Sequence, residues 1–203
     1  MLVHEVMTSR PISIGPRTRV KSAMRLLATN RLTSLPVVSA EGRLVGIVSE
    51  ADLLRDALTP DARARLWPTH TPASSWDAQV DDRPAYVEEV MNTHVLTVHP
   101  STDLAVAVEL LTTTGAKSMP VLDAHDRVVG IISRSDVVRV LARSDADLER
   151  DLDAELLQLG HPDWLVEVHE GVALVEGPMG PGERALAELA GHDVPGVTEV
   201  HVL

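Results

Sequence analysis

The chain has 203 residues, 44% of them hydrophobic, with no cysteine and a formal net charge of −12. That length can bury a real core in one or two domains, and the missing cysteines exclude a disulfide framework and thiol chemistry. Residues 1–144 carry 16 acidic and 16 basic side chains, whereas residues 145–203 carry 14 acidic side chains against Arg150 and Arg184 alone, so direct binding to nucleic acid or to an anionic membrane is disfavoured.

The opening MLVHEVMTSR has no basic segment leading into a long apolar run, and no stretch of 18 apolar residues occurs, so the expected compartment is the cytosol. Residues 3–57 align without a gap on residues 87–141, and 21 of the 55 pairs are identical. Such a duplication predicts a two-fold module with a seam between its halves.

Each copy reads as one small α/β unit. Short strands at Ile12–Ile14 and Leu96–Val98 lead through Pro16 or Pro100 into helices. The apolar faces of those helices are Val20, Ala23, Met24 and Leu27 in one copy, and Leu104, Ala107, Val108 and Leu111 in the other. Strands follow at Leu35–Val38 and Leu44–Val48, joined by a turn at Ser39–Gly42, with counterparts at Met119–Leu122, Val128–Ile132 and Asp123–Asp126. Helices then start near Ser49 and Ser133, carrying Leu53, Leu54 and Ala57, or Val137, Val138 and Leu141. So small a sheet cannot bury both faces alone, and the halves are expected to pack together.

The connector, residues 59–86, has four prolines and holds Trp67, Trp76 and Tyr86 without lasting periodicity. It reads as an ordered crossover whose rings cover the helical layer, with an exposed aromatic patch for a partner or an adenine ring, or disorder, as the alternatives.

Chemical potential concentrates in two strings, GIVSEAD with Ser49 and Asp52, and GIISRSD with Ser133 and Asp136. A serine ending a strand and an acid three residues on can form a capping box. The same geometry points helix N–H groups and a hydroxyl at a phosphate, while a carboxylate can accept from both hydroxyls of a ribose. Both readings stand at this level. Gly46 and Gly130 admit either a close ligand or a tight strand packing.

The repeated VxxVM segments at Val3–Met7 and Val87–Met91, together with the G-h-h-S-x-x-D strings at 46–52 and 130–136, resemble a tandem pair of CBS domains, a Bateman module. The resemblance implies an α/β fold: a pseudo-two-fold disc of small mixed sheets flanked by helices, with clefts that commonly hold AMP, ADP, ATP or another adenosyl ligand. Carried over, Asp52 and Asp136 would each hold a ribose, and Ser49 and Ser133 would approach phosphates. Arg134 would supply phosphate charge where the first copy has Glu50, making the sites unequal. Thr8, Ser9, Asn92 and Thr93 would be polar groups at the cleft edge, and Ile12, Val37, Leu96 and Val121 would line adenine pockets. Such a module implies regulation expressed through a protein partner or an attached domain, and pairing into a homodimer through helices. No obligatory cofactor is expected.

Beyond residue 144 the pattern changes. A helix at 145–159 places Leu148, Leu152, Leu156 and Leu159 on one side; strands follow at Leu165–His169 and Val172–Glu176, turned by Glu170 and Gly171. A helix at Gly182–Ala190 and a strand at Val197–Val202 complete a small α+β unit in the order α-β-β-α-β. WLVEVHEGVALVEGPM followed by VPGVTEVHVL resembles a BON domain, a module associated with phospholipid or macromolecular interactions. The acid excess here favours protein contact over lipid, and Trp164 is expected in the core.

The domains are thus read as 1–58, 59–86, 87–144 and 145–203. Neither a P-loop nor G-x-S-x-G is present, the nine histidines show no zinc spacing, and Ser133 has no matched histidine and acid to activate it. Catalysis by this chain is not expected, nor is a metal site.

Overall fold

The structure is a computed structural model that describes residues 1–55 and 84–203. Trp67, Trp76 and Ala57 fall outside that set. The elements are α1 (Val3–Val6), β1 (Thr8–Ser9), α2 (Val20–Asn30), β2 (Ser34–Val38), β3 (Leu44–Ser49), α3 (Glu50–Leu54), α4 (Leu104–Thr113), β4 (Ser118–Leu122), β5 (Val128–Ser133) and α5 (Arg134–Leu141). The last five are α6 (Asp145–Gln158), β6 (Leu165–His169), β7 (Val172–Glu176), α7 (Pro181–Asp193) and β8 (Glu199–Val202). The α/β class, with a small α+β unit after residue 144, is as expected.

Two compact units result, and their boundaries do not follow the repeat. One comprises Met1–Arg10, Thr97–Asp123 and Val129–Leu203; the other comprises Pro11–Leu96 and Ala124–Val128. The leading VxxVM segments are exchanged. Val3 and Val6 of α1 are buried among Leu104, Leu111, Met119 and Ile132 of the second copy, whereas Val87 is buried among Leu27, Leu35 and Val48 of the first.

The exchange is written in matching hydrogen bonds. Val3 N–H donates to Thr102 O (2.9 Å) and His4 N–H to Pro100 O (3.0 Å), while Val87 N–H donates to Thr18 O (2.9 Å) and Glu88 N–H to Pro16 O (2.9 Å). Glu5 and Glu89 reach back to accept from the N–H groups of Leu2 (2.6 Å) and Tyr86 (3.1 Å), closing the first turn of each segment. Thr8 and Ser9 then pair with Ile131 and Gly130, and Asn92 pairs with Ile47.

The glycines of the two signature strings serve this packing. A Cβ on Gly130 would lie 2.2 Å from Met7 Sδ, and one on Gly46 would lie 2.7 Å from Met91 Sδ and 3.0 Å from Asn92 O. Each methionine therefore lies over the strand of the other copy, and any side chain at the glycine displaces it.

In each unit the hairpin strands carry the core: β2 with β3 in one, and β1-β5-β4 in that order in the other. The strands expected at Ile12–Ile14 and Leu96–Val98 shrink to single bridges, Ile14 to Val37 and Val98 to Val121. Ile14 N–H donates to Pro36 O and its carbonyl accepts from Val38 N–H; Pro36 has no N–H to extend the ladder, and Pro16 ends the segment two residues later. Tyr86 closes the Pro11–Leu96 unit by bridging to Arg19, whose guanidinium lies 5.7 Å from the ring centroid.

The terminal unit has the expected element order. Strands β6 and β7 are antiparallel and β7 and β8 parallel, in the sheet order β6-β7-β8. Leu148, Leu152 and Leu156 of α6 meet Val166, Val168, Ala173 and Val175 from the sheet and Ala187 and Ala190 from α7. Leu159 misses this face: α6 stops at Gln158, Gly160 turns the chain at φ +90°, and His161 N–H closes on Leu156 O. Trp164 is half-buried, packs against the core edge and stacks on His161 at 3.9 Å between ring centroids.

Glu170 and Gly171 both adopt positive φ (51° and 76°), as a two-residue hairpin turn requires. The Asp145 carboxylate at the start of α6 accepts from both of their N–H groups (2.9 and 3.0 Å), and these bonds hold its pKa below the ordinary value. A depressed folded-state pKa means that the brace is present above the unfolded carboxyl value and is lost as pH falls through the folded one. Asp145→Ala is therefore expected to lower the melting temperature of the terminal unit at neutral pH, and the gap to the native chain to close in acid. Thermal melts from neutral to acid pH measure this, and a gap independent of pH would contradict it.

Candidate functional site

Both serine and aspartate strings form the same local structure. Ser49 is the N-cap of α3: its N–H and its Oγ–H both donate to Asp52 Oδ2 (2.9 and 2.6 Å), and its Oγ accepts from Asp52 N–H (3.4 Å). Ser133 caps α5 in the same way, with 2.9 and 2.5 Å to Asp136 Oδ2 and 3.3 Å from Asp136 N–H. Ser135 Oγ adds a contact to Ser133 Oγ at 2.8 Å. The capping reading is thus realised twice.

What capping leaves is the second carboxylate oxygen. Asp136 Oδ1 is met by Arg139, and Asp52 Oδ1 lies 3.6 Å from Arg55 Nη2. Neither arginine was among the expected site residues, although each stands three positions after its aspartate in both copies and the matched spacing was a legible signal. The two arginine side chains are mostly exposed, at 68% and 72%, so each can swing away from its carboxylate. Asp136 is buried, while Asp52 is half-buried.

The other expected residues divide between the units. Thr8 is exposed on β1 beside Ile131, in the unit that holds Ser133, Arg134 and Asp136, whereas Asn92 lies beside Ile47 in the unit that holds Ser49 and Asp52. Each cleft-edge polar group therefore accompanies the capping pair of the opposite repeat. Arg134 and Glu50 are exposed, and their N–H groups bond Lys117 O (3.2 Å) and Thr33 O (3.1 Å). Val37 and Val121 are fully buried in the two cores, while Ile12 and Leu96 are exposed.

Among the described residues no cluster of histidine, aspartate or glutamate could hold a metal ion, and no helix is long and apolar enough to cross a membrane.

Comparison with known proteins identifies this arrangement. The CBS domain family profile matches residues 3–58 and 87–143, which together make up more than half of the chain. The CBS domain-containing protein CBSX1, chloroplastic, of Arabidopsis thaliana is 32% identical over 136 residues, 62% of this chain and 57% of that protein, so the chain matches little more than half the length of that relative. The crystal structure of CBSX2 in complex with AMP has a TM-score of 0.54 at 32% identity, covering 68% of this chain and 93% of that one. The CBS domain pair of protein MJ0100, at 24% identity and a TM-score of 0.53 over 69% of this chain and 94% of that one, shares the fold. The chain belongs to the CBS domain family, as a tandem pair followed by a separate α+β domain.

Proposed function

We propose that the chain is a regulatory protein that binds an adenine nucleotide, AMP, ADP or ATP, at the two capping pairs and passes the bound state to a protein partner or to its terminal domain. The observation that carries the reading is the duplicated Ser-Asp arrangement with one carboxylate oxygen committed to the cap and the other facing an exposed arginine. A carboxylate has about four lone-pair sites, so Oδ1 can accept from ribose hydroxyls while Oδ2 still holds the cap. Arg55 or Arg139, once displaced, would be free to meet a phosphate. The AMP complex of CBSX2, similar to this chain at 32% identity, supports the ligand class. Exposed Ile12 and Leu96 are available to an adenine ring.

Calorimetric titration with AMP, ADP and ATP tests this. Binding is expected at unequal sites, with Asp136→Ala weakening it more than Asp52→Ala, because Asp136 is more buried and Arg134 precedes it by two positions where the first repeat has Glu50. No heat at millimolar nucleotide would leave the capping pairs a purely structural role in an assembly module.

The exposed apolar side chains Leu54, Val106, Val138 and Leu141 on α3, α4 and α5 support pairing of two copies through helices, since closed two-fold assembly is the commonest solution for soluble oligomers. Light scattering should return twice 21.9 kDa, and the monomer mass across micromolar concentrations would refute the dimer. The α-β-β-α-β order supports the BON-like reading of the terminal domain as a protein-contact module, tested by flotation with anionic vesicles, with which it should not associate.

A further inference from the structure

The terminal domain is seated on the second repeat through few but specific contacts. Ala142–Ser144 alone separate α5 from α6. Arg143, about a quarter exposed, donates from Nη1 to Pro195 O at 2.6 Å and from Nη2 to the Asp151 carboxylate, so one guanidinium ties the end of α5 both to α6 and to the turn before β8. Gly196 in that turn has φ +111°, and a Cβ there would meet Leu148 Cδ2 at 2.8 Å and Val140 O at 3.0 Å. Its N–H points at Met1 Sδ, 3.4 Å away.

Two elements therefore touch both this seat and the candidate site. Helix α5 carries Ser133 and Asp136 at its N-terminal end and Val140 and Arg143 at the other. The leading segment has Met1 against Gly196 at one end, and Met7 over Gly130 and Thr8 beside Ile131 at the other. The two pack on each other through Val3, Val6 and Val137 in one core. Packed elements shift as bodies, so a displacement at one end is delivered at the other.

We propose that the terminal domain reads the second repeat alone: Arg143 and the Pro195–Gly196 turn form a latch whose strength is set by the position of the Ser133–Asp136 helix end, and a ligand there acts on the terminal domain while one at Ser49–Asp52 does not. The identity of the ligand rests on the adenine-nucleotide reading above; the coupling between helix end and latch does not. Linkage makes the effect reciprocal, so loosening the latch changes affinity at the Asp136 site by the factor with which ligand changes the latch.

Amide exchange on the full chain tests this, read at residues 194–198, with Ala173–Val175 and Met119–Val121 as standards that both cores remain folded and AMP as the probe. Asp136→Asn without ligand is expected to change exchange at 194–198 by about fivefold or more, whereas Asp52→Asn leaves it alone. AMP should move the same amides in the native chain and in Asp52→Asn, but not in Asp136→Asn. Arg143→Lys, which keeps the charge and loses the two-pronged geometry, should speed exchange there and shift AMP affinity. An equal response of 194–198 to the two aspartate variants, or none to either, overturns the coupling whether or not AMP binds. Calorimetric silence toward AMP with the Asp136→Asn response intact removes the nucleotide reading and leaves the coupling standing.

Discussion

Leu152→Ala is expected to destabilise the terminal domain by about 2–5 kcal/mol, the usual range for deleting most of a fully buried leucine whose surroundings only partly collapse. Leu152 is fully buried between the sheet and α7, with Leu148 and Leu156 one turn away on either side. A domain of this size holds only about 0.05–0.15 kcal/mol per residue, so the loss approaches its whole stability. The terminal core shares no residue with the core built on Leu104, Leu111 and Met119. The variant should therefore lose the terminal domain in an early transition while the paired region melts near its native temperature. Leu157→Ala, five residues along and 62% exposed, should change stability by less than about 0.5 kcal/mol. Denaturant melts followed by amide protection measure both, and a single cooperative loss in Leu152→Ala would show that the two cores fold as one.

The second large effect concerns the exchange of leading segments. Gly130→Ala places a methyl group where Met7 Sδ lies, and a Cβ on Gly46 meets Met91 Sδ and Asn92 O. Overpacking of this kind costs about 1–3 kcal/mol. Shortening the matching methionine relieves the collision, so Gly130→Ala with Met7→Ala, and Gly46→Ala with Met91→Ala, should each show a coupling energy of about 0.5–3 kcal/mol. The crossed combinations, Gly130→Ala with Met91→Ala and Gly46→Ala with Met7→Ala, should add within about 0.5 kcal/mol, because the nearest side chain to Gly130 is Met7 and that to Gly46 is Met91. Coupling in the crossed set instead would mean that each repeat keeps its own leading segment.

Much of this molecule is legible along the chain because the signals are local. The repeat shows as matched residues in two stretches, and the paired hairpins, the serine caps at Ser49 and Ser133 and the turn at Glu170–Gly171 each depend on residues close to one another in the chain, where propensity and hydrogen-bond geometry decide the outcome. The candidate site is legible to the same depth: its serines and aspartates meet as their spacing requires. Arg55 and Arg139 are local as well, and the repeated spacing could have named them.

Other features were decided only by tertiary structure. Val3–Met7 and Val87–Met91 share four of five residues, so nothing in either segment says which repeat it will cover, and burial against the opposite core settles the matter. The strands expected at Ile12 and Leu96 shorten to bridges because Pro36 and Pro120 sit in their partner strands, a constraint more than twenty residues away. Met1 and Gly196 meet across 195 positions, and Arg143 reaches Pro195 across 52. The sequence by itself determines the repeats, the caps and the order of elements; the tertiary structure decides which segment completes which core and where the terminal domain is held, because those choices depend on burial shared between residues that no local pattern connects.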